Sequence, residues 1–266
     1  MNSVIEKYDR RAERVDSLLC VGLDSHYDSL PERFKGEELP QFAFNRWIIE
    51  QTHAYTSAYK PNIAFYEARG IEGLRALEAT QAYLREHHPD ILTICDAKRA
   101  DIGSTNRGYV TAIFDHLGFD AVTLNPYLGG EALAPFLARE DKACILLCRT
   151  SNPGAGEFQD LAVDGKPLWL VVAEHVAGQW NTHGNCMLVA GATYPDELRR
   201  IRALVGEMTL LVPGIGTQGG DIEQAMLAGM NSQGRGMIVN ASRAVIFADD
   251  PAAAARALRD IMNSYR

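Results

Sequence analysis

The stretch DAKRAD, residues 96–101, brings Asp96, Lys98 and Asp101 within six residues of one another. It follows the apolar residues of ILTICDAK (91–98), a run typical of a buried strand. Side chains two residues apart on a strand point to the same face, so the Asp96 carboxylate and the Lys98 ammonium are expected to lie together. Lys60 lies in a second such run, SAYKPN (57–62), and extends the set to two ammonium groups and two carboxylates.

This charged set can serve either chemistry or stability. Each buried ion costs several kcal/mol in desolvation unless it is matched, and apolar replacements of such pairs are often at least as stable. One interpretation is a structural salt-bridge network. Because apolar residues would serve stability at least as well, stability alone is a weak reason for such a charged cluster. We favour a functional interpretation.

A second polar region indicates an anion site. Arg243, in NASRAV (240–245), can make a bidentate contact with a phosphate. The preceding segment PGIGTQGGD (213–221) allows a tight turn close to a ligand and leads into a predicted helix whose first amides favour a phosphate. The glycines of that segment are Gly214, Gly216, Gly219 and Gly220.

Eight short apolar runs alternate with eight helical patterns along the chain. The predicted strands are 17–24, 57–62, 91–98, 120–125, 143–150, 186–193, 208–214 and 236–242. The predicted helices are 41–56, 71–87, 104–117, 130–139, 168–182, 195–205, 219–229 and 251–264. In a chain of 266 residues this order predicts an α/β fold, a (β/α)8 TIM barrel formed by a single domain over residues 1–266. A doubly wound open sheet is the alternative, but GLDSHYDSLP after the first strand is not the GxGxxG motif expected there.

A barrel gathers its chemistry at the carboxyl ends of its strands. Asp24, Lys60, Asp96, Lys98 and Ser151 all lie at or just beyond such ends. The longest inner connection, SNPGAGEFQDLAVDGKP (151–167), is predicted to be an active-site lid because ordered connections of this length are often functional.

Composition excludes several classes of protein. The net charge of −8 argues against a general binder of nucleic acids or anionic membranes. The longest apolar runs span six residues and the charged N-terminus lacks a signal sequence, so neither a membrane span nor secretion is expected. Five cysteines within predicted strands, without a CxxC pair, indicate reduced thiols and a cytoplasmic location. The seven histidines form no HxH or HExxH pattern, and no metal site is predicted.

At DAKRADIGST (96–105) the sequence resembles the orotidine 5′-phosphate decarboxylase family, whose central DxKxxD motif it matches. The similarity continues in the same order through most of the chain, in GLD (22–24), YKPNIAFYE (59–67), RTSNPGAGEF (149–158), PGIGTQGGD (213–221) and SRAVIF (242–247). LNPYLGGEAL (124–133) and RTSNPGAGEF are similar to the longer bacterial branch. The resemblance implies a homodimer of barrels that, without a cofactor, converts orotidine 5′-phosphate to UMP and carbon dioxide, the last step of de novo pyrimidine nucleotide synthesis.

The resemblance also implies roles for the charged residues. Lys98 is the proton donor within a charge array that includes Lys60, Asp96 and Asp101. The partner subunit supplies three residues of each site: Asp101, Ile102 and Thr105.

Substrate contacts follow from the same resemblance. Asp24 and Lys60 hold the ribose hydroxyls, and Ser151 contacts the pyrimidine. Arg243 binds the phosphate. Many relatives have Gly-Arg at this arginine, whereas this chain has Ser242–Arg243, which leaves a backbone contact at Ser242 open. Two further residues lie between base and phosphate: Pro213 and Gln218.

Two other functions remain open. Lyases of the hexulose-phosphate synthase or keto-gulonate-phosphate decarboxylase type share the barrel and the DxKxxD motif but use magnesium, with an added acidic ligand near the first strand end, where this chain has only Asp24. A non-catalytic barrel that binds a sugar phosphate is the second, although such a protein is expected to have lost the charge array. Loss of activity with EDTA would favour the first.

Overall fold

Eight parallel strands close into a barrel in the computed structural model, which describes residues 3–215 and 219–266. In chain order the strands are β1 (Leu19–Gly22), β2 (Ala58–Lys60), β3 (Leu92–Arg99), β4 (Ala121–Leu124), β5 (Ala143–Arg149), β6 (Ala162–Val163), β7 (Lys166–Pro167), β8 (Cys186–Ala190), β9 (Leu210–Val212) and β10 (Met237–Ala241). The barrel order is β1-β10-β9-β8-β5-β4-β3-β2, and β6 and β7 form a separate antiparallel hairpin. Because β1 pairs with β10, for example Leu19 with Val239, the sheet has no free edge. The predicted (β/α)8 barrel is confirmed, and the open sheet is wrong.

Helices flank the barrel strands, including one at each of the eight predicted places. They are α1 (Val4–Arg14), α2 (Glu32–Lys35), α3 (Pro40–Thr52), α4 (Ala64–Glu67), α5 (Gly70–His87), α6 (Gly103–Val110), α7 (Gly129–Leu137), α8 (Gly156–Gln159), α9 (Leu168–His175), α10 (Pro195–Val205), α11 (Gly219–Gly229), α12 (Arg243–Ile246) and α13 (Pro251–Asn263). The π-helical turns Thr111–His116 and Val176–Trp180 continue α6 and α9. Within the described ranges, no helix combines the length and apolar character needed to cross a bilayer.

The N-terminal helix α1 was not among the predicted helices. Its start is fixed by a capping box, in which the Ser3 hydroxyl accepts from the Glu6 amide (3.1 Å) and the Glu6 carboxylate accepts from the Ser3 amide (3.0 Å). Its buried face includes Tyr8, whose hydroxyl donates to the carbonyl of Met237 at the start of β10. The helix thus packs across the amino-terminal end of the barrel and leaves the other end open.

The barrel strands form the core and contain all five cysteines. Every residue of β1, β4, β8, β9 and β10 is buried. The cysteine thiols are free and buried, as expected. Burial raises the pKa of four of them to about 12, which leaves these thiols protonated and unreactive: Cys20, Cys95, Cys148 and Cys186.

Strand β3 is not regular where it carries the charged pair, and this corrects the sequence prediction. Its pairing with β4 shifts register between Cys95 and Arg99, and Lys98 adopts a left-handed backbone with φ of +47°. Asp96 is consequently buried while the Lys98 side chain is 49% exposed. The two groups still meet, but through a bulge, because extra residues on one strand re-aim the side chains that follow.

Candidate active site

A carboxylate between two ammonium groups forms the centre of the site, at the carboxyl end of the barrel. The Lys60 Nζ atom donates to Asp96 Oδ2 at 2.8 Å, and the Lys98 Nζ atom donates to Asp96 Oδ1 at 2.6 Å. The side chains of Lys60 and Asp96 are 5% and 10% exposed, so this pair is almost dry. The structure therefore brings together three of the four residues of the predicted charge array.

The three charges stabilise one another. Burial by itself would raise the pKa of Asp96, but Lys60 and Lys98 outweigh it and hold that pKa well below its usual range. Burial would likewise lower the pKa of Lys60, yet the carboxylates of Asp96 and Asp24 raise it above its ordinary value. At neutral pH the centre thus holds a fixed carboxylate and a fixed, buried ammonium.

Thr123 on β4 also contacts Asp96, and the sequence analysis did not single it out. Its hydroxyl donates to Asp96 Oδ1 at 3.0 Å and accepts from the Lys98 backbone amide at 2.9 Å. The side chain is buried, at 1% exposure. The only feature of the sequence that could have identified Thr123 is its polarity within the apolar run DAVTLN (120–125). Threonine is common in strands, so this feature carries little information.

Asp101 does not join the cluster within its own chain. Among the described residues its carboxylate accepts only from the adjacent Ile102 amide, at 2.7 Å. The buried Asn106 fixes this loop, since its side-chain carbonyl accepts from the Asp101 amide (2.9 Å) and its side-chain amide donates to the carbonyls of Asp101 and Ala132. Ile102 is 62% exposed and Thr105 is exposed, so the loop presents these side chains outward.

Asp24 and Ser242 lie at neighbouring strand ends, because β1 and β10 pair. Among the described residues, Asp24 Oδ1 and Ser242 Oγ are buried atoms without a hydrogen-bond partner. A Cβ atom on Gly22 would lie 1.9 Å from Ser242 Oγ, so only glycine permits this close approach. Both oxygens are therefore available to a ligand that enters the open end of the barrel.

Ser151 follows β5 and packs against the turn after β8. A Cβ atom on Gly191 would lie 2.9 Å from the Ser151 Cβ atom. Pro213 follows β9, and its carbonyl accepts from the Ala192 amide at 2.9 Å. Ser151, the predicted pyrimidine contact, and Pro213, predicted to lie between base and phosphate, therefore both follow the carboxyl ends of barrel strands.

The predicted lid, 151–167, is an ordered insertion attached to the barrel through Arg149. It contains a 3₁₀ turn (Pro153–Ala155), α8 and the β6–β7 hairpin. The buried Arg149 guanidinium lies 3.9 Å from the ring centroid of Tyr194 and contacts the Asp160 carboxylate at 3.2 Å. The Gln159 side-chain carbonyl accepts from the Thr150 amide at 2.9 Å. The base of the insertion is thus fixed, while Phe158 in α8 is 65% exposed.

The predicted phosphate site is described in part. Arg243 begins α12 and is exposed, and α11 begins at Gly219, as predicted. Among the described residues the Arg243 side chain makes no hydrogen bond or ion pair, so its guanidinium can bind an anion. Gln218 and Gly216 lie outside the described residues. Among the side chains that the structure describes, no three potential metal-ligating groups of histidine, cysteine, aspartate or glutamate converge.

Comparisons with known proteins agree with this geometry. The family model described as "Orotidine 5′-phosphate decarboxylase / HUMPS family" matches residues 17–258. A curated relative from Cellvibrio japonicus, named orotidine 5′-phosphate decarboxylase, is 48% identical over 96% of this chain and 95% of its own. A relative of the same name from Herpetosiphon aurantiacus is 47% identical over 98% and 96%.

A solved structure described as Leishmania donovani OMP decarboxylase superposes with a TM-score of 0.89. It is 40% identical and covers 99% of this chain and 98% of its own. These matches span nearly the full length of all three relatives, and they confirm the resemblance to the longer branch that the motifs indicated. The chain belongs to the orotidine 5′-phosphate decarboxylase / HUMPS family.

Proposed function

We infer that this protein is an orotidine 5′-phosphate decarboxylase, a carboxy-lyase that forms UMP and carbon dioxide in the final step of de novo UMP synthesis. The observation that carries the inference is the Lys60–Asp96–Lys98 cluster at the open end of the barrel. The family match alone also admits other lyases, but the curated relatives at 48% and 47% identity carry this one name.

The chemistry requires electrostatic stabilisation. When the bond between C6 and the carboxylate breaks, carbon dioxide leaves and an electron pair remains on C6, in the plane of the pyrimidine ring. The ring cannot delocalise that pair as an enolate would. A fixed ammonium beside C6 stabilises the pair and then transfers a proton to it, which completes UMP.

Of the two lysines, Lys98 fits the role of proton donor. Its side chain is 49% exposed, so a neutral amine can regain its proton from water after each turnover. Lys60 is 5% exposed and has no such access. Lys60 instead keeps Asp96 ionised, and Asp96 in turn keeps the Lys98 ammonium in place at 2.6 Å.

One charge does not supply the whole rate enhancement. A unit-charge contact at about 4 Å and an effective dielectric near 20 is worth roughly 4 kcal/mol, whereas enzymes lower barriers by about 8–23 kcal/mol. Repulsion between Asp96 and the departing carboxylate is relieved as carbon dioxide leaves, and this lowers the barrier beyond what the lysine charge contributes. Binding energy from the remote phosphate supplies a further part.

We propose that the fourth charge, Asp101, enters the site of a second copy of the chain in a homodimer. The Asp101 carboxylate makes no contact with Lys60 or Lys98 in its own chain, and the neighbouring Ile102 and Thr105 are exposed. The loop after the adjacent strand β4 exposes Tyr127 (86%) and Leu128 (48%). Exposed apolar groups on adjacent loops support docking of a partner here.

The substrate contacts inferred from the resemblance fit the open end of the barrel. Asp24 and Lys60 hold the ribose hydroxyls, Ser151 contacts the pyrimidine, and Arg243 binds the phosphate. Pro213 and Gln218 lie between base and phosphate in this proposal. The Ser242 hydroxyl, which has no hydrogen-bond partner among the described residues, supports a polar contact from that side chain, where many relatives have glycine.

Replacing Arg243 with alanine is expected mainly to weaken affinity, raising KM about 100-fold with a smaller fall in kcat, because a charge-assisted phosphate contact contributes roughly 3 kcal/mol to binding. We also propose that phosphate binding closes the segment 151–167 over the site and excludes water. UMP should then protect this segment from proteolysis in the wild type but not in Arg243→Ala. An unchanged KM would show that Arg243 does not bind the phosphate. Equal protection of segment 151–167 from proteolysis in both proteins would show that its closure does not depend on Arg243.

The function itself is tested by the ultraviolet absorbance of orotidine 5′-phosphate with purified protein. We expect substrate to be consumed at the same rate before and after treatment with EDTA. Activity on this substrate that disappears with EDTA and returns with magnesium would favour the magnesium-dependent class of lyase. Binding of UMP without any turnover would indicate a sugar-phosphate-binding barrel. The free, buried cysteines support a cytoplasmic location, which cell fractionation can check.

A further inference from the structure

Strand β4 presents a single residue opposite the bulge of β3. Cys95 pairs with Val122 before the bulge and Arg99 pairs with Leu124 after it. Three residues of β3, 96–98, therefore face one residue of β4, which is Thr123. A bulge of this kind leaves backbone groups without their usual partner on the neighbouring strand.

The Thr123 side chain supplies what the interrupted ladder lacks. Its hydroxyl oxygen accepts from the Lys98 backbone amide at 2.9 Å. Its hydroxyl proton is donated to Asp96 Oδ1 at 3.0 Å. The same carboxylate oxygen accepts from the Lys98 ammonium at 2.6 Å, so Thr123 contacts the carboxylate that binds this ammonium as well as the backbone of Lys98.

We propose that Thr123 is a positioning residue for the decarboxylation, one that sets the backbone of Lys98 and the orientation of the Asp96 carboxylate. Lys98 adopts φ of +47°, which costs an ordinary L-residue energy and persists only where the surroundings fix it. The amide that Thr123 holds belongs to this strained residue. The hydroxyl therefore couples the backbone conformation of Lys98 to the carboxylate that orients its ammonium.

The role rests on the proposed function, but the contact is measurable without turnover. In Thr123→Val, which keeps the shape of the side chain and removes the hydroxyl, the Lys98 amide loses its acceptor. Its hydrogen exchange should become at least about tenfold faster than in the wild type, and Thr123→Ser should restore slow exchange. Unchanged exchange in Thr123→Val would overturn the proposed contact, whether or not the protein decarboxylates its substrate.

The catalytic consequence is a selective loss of kcat. Thr123→Val is expected to lower kcat about 10- to 100-fold with KM within about threefold, because the binding contacts remain while the charges at C6 are misplaced. Thr123→Ser should recover kcat to within about threefold of the wild type. A Thr123→Val enzyme with native kcat, or with a change confined to KM, would overturn the positioning role. An inactive wild type would instead overturn the proposed function. Hydrogen exchange of the Lys98 amide would then still test the hydrogen bond to Thr123.

Thr93 provides a matched control at the opposite end of the barrel. It is a buried threonine on β3 whose hydroxyl donates to the Asp120 carboxylate at 3.0 Å and accepts from the Asp120 amide at 3.2 Å. Thr93→Val removes these two bonds and a third, which the hydroxyl accepts from the Gln81 side-chain amide at 2.9 Å, so it should lower thermal stability while kcat stays native. If Thr93→Val lowered kcat as much as Thr123→Val, the fall in kcat would reflect a general loss of stability, and the proposed positioning role would be wrong.

Discussion

Lys98→Ala is expected to abolish turnover, with kcat lower by about 10⁴-fold or more, because it removes both the charge beside C6 and the proton that completes the product. UMP binding should stay within about tenfold of the wild type, since the product carries no carboxylate or carbanion for the ammonium to stabilise. Absorbance of orotidine 5′-phosphate measures the first effect and calorimetric titration with UMP the second.

A second lysine provides the control for that experiment. Lys142 is partly buried, and its ammonium donates to the carbonyl of Phe119 at 2.8 Å, before β4, at the far end of the barrel. Lys142→Ala removes a comparable side chain and should leave turnover intact. A Lys98→Ala protein that decarboxylates at a near-native rate would show that another group donates the proton.

Mixed dimers should regain activity that neither parent has. Lys98→Ala and Asp101→Ala homodimers are each expected to be almost inactive. In a mixed dimer one site carries both substitutions and the other carries none, if Asp101 reaches the partner's Lys98. Random pairing makes half of the dimers mixed, so co-expression should give about one quarter of wild-type activity per chain.

The matched control uses two residues that the proposal assigns to the same subunit's half of the site. Co-expression of Lys98→Ala with Lys60→Ala should restore nothing, because every site then lacks one lysine. No recovery with the Asp101 variant would mean that Asp101 acts within its own chain or not at all. A monomer by light scattering would exclude a shared site outright.

Much of the charged centre could be predicted from the sequence. Lys60, Asp96 and Lys98 lie at the ends of apolar runs, and parallel strands in a barrel bring such ends to one rim. The pairing of Asp96 with both lysines follows from charge and proximity. The bulge and the positive φ at Lys98 were not predicted, since they depend on how β3 pairs with β4 and not on the local pattern.

Residues that act through neighbouring strands were not predictable in the same way. Thr123 lies 25 residues from Lys98, and only strand register places it opposite the bulge. Asn106, which fixes the loop carrying Asp101, is one polar residue in the helix that follows. Single polar residues in strands and helices are common, so neither stood out.

The sequence by itself determined the order of strands and helices, the closed barrel and the identity of the charges, because hydrophobic periodicity and the cost of burying ions are local to each segment. The tertiary structure decided which of those charges meet within one chain, how deeply each is buried, and which hydroxyl holds them. Those outcomes depend on strand register and on desolvation by distant segments, and neither is encoded in any short stretch of residues.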